Sequence, residues 1–224
     1  MIGMVGLGES RPTFYFDVHG EINTEKSIEL SRDRASELGI GKVVVASETG
    51  LTALRVLEAF PDLKVVVVSS AAGTCIEGSV IGDLKIGIPD ESILVELRER
   101  GAEVVRGTDP FWNLAAHTGM VDACRLGMMY FKVICGGLHV CMTAVLEATD
   151  AGHLVEGEEA IALAGSFVGL DTAIVAGASN SVNFFRSFEV REIICKPRLP
   201  RYAWPINFED WRGDLERYRR FVRE

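Results

Sequence analysis

Two short runs of β-branched residues constrain this chain most. Lys42–Ala46 (Lys-Val-Val-Val-Ala) and Leu63–Val68 (Leu-Lys-Val-Val-Val-Val) are too short for buried helices, continuously apolar after Lys42 and Lys64, and bracketed by turn residues. A strand whose successive side chains are all apolar must be covered on both faces, which predicts central parallel strands. The segment between them, Leu51–Phe60, carries Leu54, Leu57 and Phe60 at helical spacing and is stopped by Pro61-Asp62. Strand, helix and strand in that order form a β-α-β unit.

The same alternation extends along the chain. A strand is predicted at Phe14–Phe16, followed by a helix that Asn23 or Thr24 can cap, with Ile28, Ala35 and Leu38 on one face and Gly39 at its end. Gly73–Ile88 is Gly-rich and is predicted to be a loop. Asp90 caps a helix through Arg100 that ends at Gly101, before a strand at Glu103–Val105. Trp112–Ala151 is helical in period, in two or three pieces broken near Gly119 and at Gly127 or Gly136. Ala160–Ala164, Thr172–Ala176 and Glu189–Cys195 are further strands, with an antiparallel finish to the sheet as one outcome. The expectation is an α/β fold, a three-layer αβα sandwich with a mostly parallel sheet, over residues 1–197. An Arg- and aromatic-rich arm over 198–224 is expected to pack on the domain or on a partner subunit.

Charge and cysteine usage exclude several classes. The net charge of −9 disfavours nucleic acid and anionic membrane as partners, because both are bound by releasing counterions onto Lys and Arg. The five cysteines are scattered in apolar settings without a Cys-x-x-Cys pair, which fits a reducing cytoplasm. Residues 1–13 lack the apolar core of a signal peptide. Leu126–Leu146 is interrupted by Lys132, Gly136-Gly137 and His139, and is read as a buried helical segment and not a membrane span. The four histidines never fall at metal-ligand spacing with a carboxylate, so no metal is expected. His139, within an apolar helix, reads as a satisfied core residue. No Gly-x-Ser-x-Gly elbow, dinucleotide fingerprint or P-loop occurs.

In a sheet of this kind ligands bind outside the carboxyl ends of the strands, so the loops after strands carry the candidate site. Ser47-Glu48-Thr49-Gly50-Leu51-Thr52 joins the first Val-rich strand to its helix. Gly50 permits a tight turn, the first helical turn offers unpaired N–H groups, and the hydroxyls of Ser47, Thr49 and Thr52 add donors for phosphate oxygens. Simple capping of the helix by Ser47 or Thr49 explains the motif equally well. The next strand end, Ser69-Ser70-Ala71-Ala72-Gly73-Thr74, opens at the same edge. A third loop, Gly165–Thr172, offers close backbone approach at Gly165 and Gly169 and, at Asp171 and Thr172, partners for a hydroxyl or a ring N–H. Asn23 joins this set, although capping is its simpler role.

These segments resemble a known family. Asn23-Thr24, Val43–Ala53 and Val65–Ser69 are similar to the C-terminal domain of pyruvate kinase, where the equivalent loop binds an effector's phosphate. Ala148-Thr149-Asp150-Ala151-Gly152, Gly169–Thr172 and Glu192–Arg198 bring the chain closer to stand-alone microbial proteins of that domain type. The likeness covers most of Phe14–Arg198. It implies an αβα sandwich with a mixed sheet and, as in those stand-alone relatives, a site for flavin mononucleotide (FMN) whose phosphate occupies the Ser47–Thr52 loop. It also implies no pyruvate kinase activity, because that chemistry belongs to a separate (β/α)8 barrel of roughly 200 residues or more. The chain departs from those relatives at His139 and Thr143, where Lys and Glu are expected.

The predicted function is therefore to bind a phosphorylated small molecule, FMN foremost. Two other classes stay open. One is a flavin-dependent or sugar-phosphate enzyme with Asp171, His139 or Glu48 as acid–base groups. The other is an effector-binding regulatory subunit, for which a second copy of the chain is a candidate partner.

Overall fold

The computed structural model describes residues 8–79, 82–111, 123–166 and 168–198. The strands are β1 (Phe14–Phe16), β2 (Lys42–Ala46), β3 (Lys64–Ser70), β4 (Cys75–Ser79), β5 (Gly82–Lys85), β6 (Glu103–Gly107), β7 (Glu159–Ala164), β8 (Thr172–Gly177) and β9 (Glu189–Pro197). The helices are α1 (Thr24–Leu38), α2 (Leu51–Ala59), α3 (Glu91–Glu99), α4 (Ala123–Ile134), α5 (Gly136–Asp150) and the short α6 (Phe184–Ser187). A 3-10 turn, Glu21–Asn23, leads into α1, and another, Ser181–Asn183, into α6.

Seven strands form one sheet in the order β1-β9-β8-β7-β2-β3-β6. β2 pairs in parallel with β3 and β7, β3 with β6, and β1 with β9, whereas β8 runs antiparallel to both β7 and β9. Alternation within the strands divides the core into two layers. Val43, Val45, Val65, Val67, Ile161 and Leu163 face the side covered by α1, α2 and α3. Val44, Val66, Val68, Ala160, Ala162 and Ala164 face α5. The alanines on β7 leave room for a helix to approach closely, and Ala144 and Ala148 of α5 share their buried cluster. This is the expected αβα sandwich with a mostly parallel sheet.

Several local expectations change in the folded chain. Gly73–Ile88 is not a plain loop: β4 and β5 form an antiparallel two-stranded ribbon, with Cys75 opposite Lys85. Its glycines conceal strand character that comes from pairing and not from propensity. Neither Asn23 nor Thr24 caps α1. The Asn23 side-chain amide donates to the Val18 carbonyl at 2.7 Å, and the Thr24 hydroxyl accepts from Leu170 N at 2.9 Å, so both serve tertiary contacts. Asp90 does cap α3, accepting from Ser92 N at 2.9 Å.

The expected break at Gly136 is present, but the burial expected of Leu126–Leu146 does not extend to α4. The helix breaks at Cys135, whose backbone is extended (φ −175°), while Gly127 stays inside α4; Gly119 lies outside the described residues. α5 is buried along most of its length, whereas α4 packs on α5 and exposes Leu126, Met129, Tyr130, Val133 and Ile134. Among the described residues no helix is long and apolar enough to cross a membrane. The arm predicted over 198–224 lies outside the described residues beyond Arg198.

Close packing of α5 gives a direct test. A Cβ on Gly137 would sit 2.3 Å from Thr172 Oγ1 and 2.6 Å from Thr172 Cβ, whereas a Cβ on Gly127 meets nothing within 4 Å. We expect Gly137→Ala to destabilise the fold by about 1–3 kcal/mol through overpacking. Gly127→Ala, in the interior of α4, should stabilise it by up to about 1 kcal/mol through backbone entropy. Urea unfolding followed by circular dichroism reads both values.

Candidate functional site

The chain leaves β2 toward β3 and β6 on one side and later returns to place β7 on the other. β2 and β7 are therefore adjacent parallel strands whose following loops diverge, which is the arrangement that opens a crevice at a strand edge. A cavity of about 380 Å³ lies there. Ala46, Ser47, Glu48 and Thr49 line it from the end of β2, and Leu51, Thr52 and Arg55 from α2. Gly165, Ser166, Val168 and Gly169 line it from the β7–β8 loop. Ser70, Leu84 and Ile86 close it on one side, with Val140 of α5 and Glu21 on the others.

The α2 start is shaped by Gly50, which occupies the N-cap with φ +83°, a conformation that side chains rarely adopt. A Cβ there would also meet Ile93 Cγ2 at 2.6 Å, so this glycine is required by packing against α3 as much as by the turn. No side chain caps α2; Thr49 Oγ1 is 3.5 Å from Leu51 N, too long for a firm bond. The N–H groups of the first turn, next to the hydroxyls of Thr49 and Thr52, thus remain without a helical partner.

The polar groups around this opening fall into two kinds. Glu48 lines the cavity, but its carboxylate ties the strand ends together. It accepts from Ser69 Oγ at 3.0 Å, Ser70 Oγ at 2.9 Å, and the N–H groups of Ser70 and Gly87, each at 3.2 Å. Asp171 is fully buried and accepts from Gly20 N at 3.0 Å, Ser166 N at 3.2 Å and Thr172 Oγ1 at 2.8 Å. Burial pushes the Asp171 carboxyl up from its ordinary range, against the pull of those hydrogen bonds. It anchors the loop before α1 and the β7–β8 loop, and it does not line the cavity.

Arg55 is the one cation among the described lining residues. It pairs with Glu21 through Nη1 and with Glu25 through Nη2 and Nε, the last at 2.9 Å. Burial opposes its charge, and the two glutamates outweigh that burial. Glu21 in turn lies against Gly169, where a Cβ would be 2.4 Å from Glu21 Oε2. A second glycine contact narrows the loop itself, since a Cβ on Gly165 would fall 2.0 Å from the Gly169 carbonyl.

Of the residues singled out in the sequence, Ser47, Glu48, Thr49, Thr52, Ser70, Gly165 and Gly169 come together around this cavity. Asn23, Gly50, Ser69, Gly73, Thr74, Asp171 and Thr172 do not line it. Thr74 closes the turn between β3 and β4 through its hydroxyl to the Ala71 carbonyl at 2.7 Å. Thr172 is buried beside Cys135, with Oγ1 and Sγ 3.1 Å apart. Sequence reasoning missed Arg55, although it lies one turn beyond Leu51 and Thr52 on the same helical face. It also missed Glu21, Leu84, Ile86, Val140 and Val168, for which no local motif exists.

His139 is a core residue only half satisfied. Its Nε2 is 3.4 Å from both Asp109 Oδ2 and Thr143 Oγ1, and its Nδ1 is buried without a partner. Burial, followed by the Lys132 charge, lowers its pKa to about 3, so the ring is neutral. Among the described residues no group of three or more His, Cys, Asp or Glu is arranged to hold a metal.

Against this geometry, residues 25–176 match the family model described as the pyruvate kinase alpha/beta domain, which is well over half of the chain. The match runs through β2, α2, β3 and β7, the elements that frame the cavity.

Glu147 offers a pH test of this edge. On α5 it lies over Gly107, with Oε2 buried and unpartnered, and burial, then the charges of Asp109, Glu48 and Asp150, raise its pKa from 4.5 to about 8. The folded state therefore holds the proton that the unfolded state releases first. Glu147's contribution is complete below about pH 4.5, declines as pH rises, and is gone above about pH 8. Stability of the native chain should fall between those pH values, and Glu147→Gln should flatten that fall, as read by urea midpoints across the range.

Proposed function

The chain belongs to the pyruvate kinase alpha/beta domain family, and from that premise we propose that it binds a phosphate-bearing small molecule, with FMN as the ligand. The observation that carries this reading is the junction of β2 with the N-terminus of α2, open to a cavity of about 380 Å³ where the strand order reverses. First-turn N–H groups and the hydroxyls of Thr49 and Thr52 provide donors for a phosphate at one end. Leu84, Ile86, Val140 and Val168 provide an apolar wall suited to a planar ring, and the volume falls within the range of small-molecule pockets, about 300–1,000 Å³.

The electrostatics set a condition on the ligand. Glu21 and Glu48 line the cavity with a single described cation, Arg55, which is already paired. A phosphate is favoured here through directed N–H and hydroxyl donors and through Arg55 exchanging a glutamate for the ligand. Both carboxylates are held by other groups of the protein, which suits holding a ligand better than exchanging protons with it.

Titration of FMN and of riboflavin, which lacks the phosphate, tests this reading by calorimetry alongside the visible spectrum of the purified protein. FMN should bind at least roughly ten-fold more tightly than riboflavin, the expectation for one charge-assisted contact of about 1.4 kcal/mol or more. Thr52→Asp, which puts a carboxylate at the first turn, and Arg55→Gln should each lower FMN affinity and leave riboflavin binding within a few-fold. Equal affinity for the two flavins, unmoved by either variant, would remove the phosphate from this loop. Gly50 is a poor site for such a test because any side chain there collides with Ile93.

A further inference from the structure

One wall of the cavity is not placed by the main sheet. Leu84 sits on β5 and Ile86 just beyond it, and β5 pairs with β4 in a ribbon of its own, separate from the seven strands. The wall rejoins the body of the protein through Gly87 and Ile88, where the backbone kinks. Gly87 has φ +83° and Ile88 φ +52°, and Ile88 is the one non-glycine residue with positive φ among the described residues. A β-branched residue in the left-handed region is strained, and such strain persists only where the surrounding contacts over-determine it. Here those contacts come from the core and from Glu48. The Ile88 side chain is buried in a cluster with Leu94 and Leu97 and packs toward Gly50, where a Cβ would meet its Cγ2 at 3.4 Å. Glu48 holds the backbone of the kink twice: its carbonyl accepts from Ile88 N at 2.8 Å, and its carboxylate accepts from Gly87 N at 3.2 Å.

On the reading that a phosphorylated ligand with a planar ring occupies the cavity, we propose that Glu48 is its positioning residue: it seats the Gly87–Ile88 kink on the end of β3 and so sets Leu84 and Ile86 as the wall against which the ring lies. The same carboxylate takes the Ser69 hydroxyl at 3.0 Å, the Ser70 hydroxyl at 2.9 Å and Ser70 N at 3.2 Å, so kink and strand end share one acceptor. Gly87 is buried, and losing the carboxylate strands its N–H. The bonding pattern also separates shape from charge. Oε2 accepts from Ser69 Oγ, Ser70 N and Gly87 N, whereas Oε1 accepts from the Ser70 hydroxyl, which can rotate to accept instead. A glutamine therefore fits the same seat, with its carboxamide oxygen in the place of Oε2 and its NH2 facing Ser70 Oγ, while an alanine empties it. Glu48 is exposed at the sheet edge, so neither change disturbs the core. A group that exchanged protons with the ligand would lose its role as glutamine; a positioning group keeps it.

Hydrogen exchange in the ligand-free full chain, read residue by residue by NMR, tests the seat, and calorimetry with FMN and riboflavin tests its use. In Glu48→Ala the Gly87 amide should exchange at least about ten-fold faster, the order expected for one lost hydrogen bond to a charged group. The amides of Val44 and Val66, paired at the centre of the sheet, should be unmoved. Both flavins should bind at least about ten-fold more weakly and by the same factor, because the displaced wall meets the ring they share. Thr52→Asp and Arg55→Gln, by contrast, shift FMN relative to riboflavin. Glu48→Gln should restore exchange and both affinities to within a few-fold of the native chain. Unchanged Gly87 exchange in Glu48→Ala, a loss of affinity confined to FMN, or a glutamine variant as impaired as the alanine would each overturn the assignment. If the native chain binds neither flavin, the ligand reading fails, and exchange at Gly87 still decides for or against Glu48.

Discussion

Pairing of β2 with β7 is the contact on which the rest of this structure depends. It aligns Val43–Val45 with Ile161–Leu163, residues more than a hundred positions apart, and makes the centre of the sheet from two segments that arrive from opposite directions. Because the strands are parallel, both following loops open at one edge, and because the chain turns opposite ways from them, those loops part. The cavity is a consequence of that strand order. The apolar alternation that holds the pair also fixes the layers: one set of valines takes α1 and α2, and the alanines of β7 take α5 at close range.

Two carboxylates stabilise this edge and show how a polar residue at a strand end can be structural. Glu48 gathers hydroxyl and backbone donors from the end of β3 and from Gly87, and Asp171 does the same between the segment before α1 and the β7–β8 loop. Leaving a buried donor such as Gly20 N unmet costs about 1–3 kcal/mol. The loops around the cavity are thereby tied to the strand ends and to the segment before α1. Arg55 adds a different element, a cation whose glutamate partners come from the turn before α1 and from α1 itself, so the rim of the cavity joins α2 to the N-terminal segment.

How much of this was legible in the sequence depends on the range of the signal. β2, β3 and the helix between them were readable because period and composition act over a few residues, and the family likeness through Val43–Ala53 and Val65–Ser69 added the fold class. The Ser47–Thr52 loop was readable as a candidate for the same reason: it joins a clear strand to a clear helix. The β4–β5 ribbon was not, since its strands exist by pairing with each other. Asn23 and Thr24 looked like caps because local statistics favour that role, and the fold uses their side chains for contacts with Val18 and with Leu170 instead. Leu126–Leu146 read as a buried helical segment because hydrophobicity alone does not tell a core helix from one with an outward apolar face.

By itself the sequence determined the periodicity of the central elements, their alternation of strand and helix, and the short loop in which a strand hands over to α2, all of which follow from interactions between near neighbours. Only the tertiary structure decided that β7 lies beside β2, that Leu84, Ile86, Val140 and Val168 wall the same cavity as Thr52, and that Asp171 belongs to the scaffold and not to the cavity lining. The physical reason is that cavity walls and buried hydrogen bonds are made between residues distant along the chain, and their pairing is selected by the packing of the whole sheet and not by any segment within it.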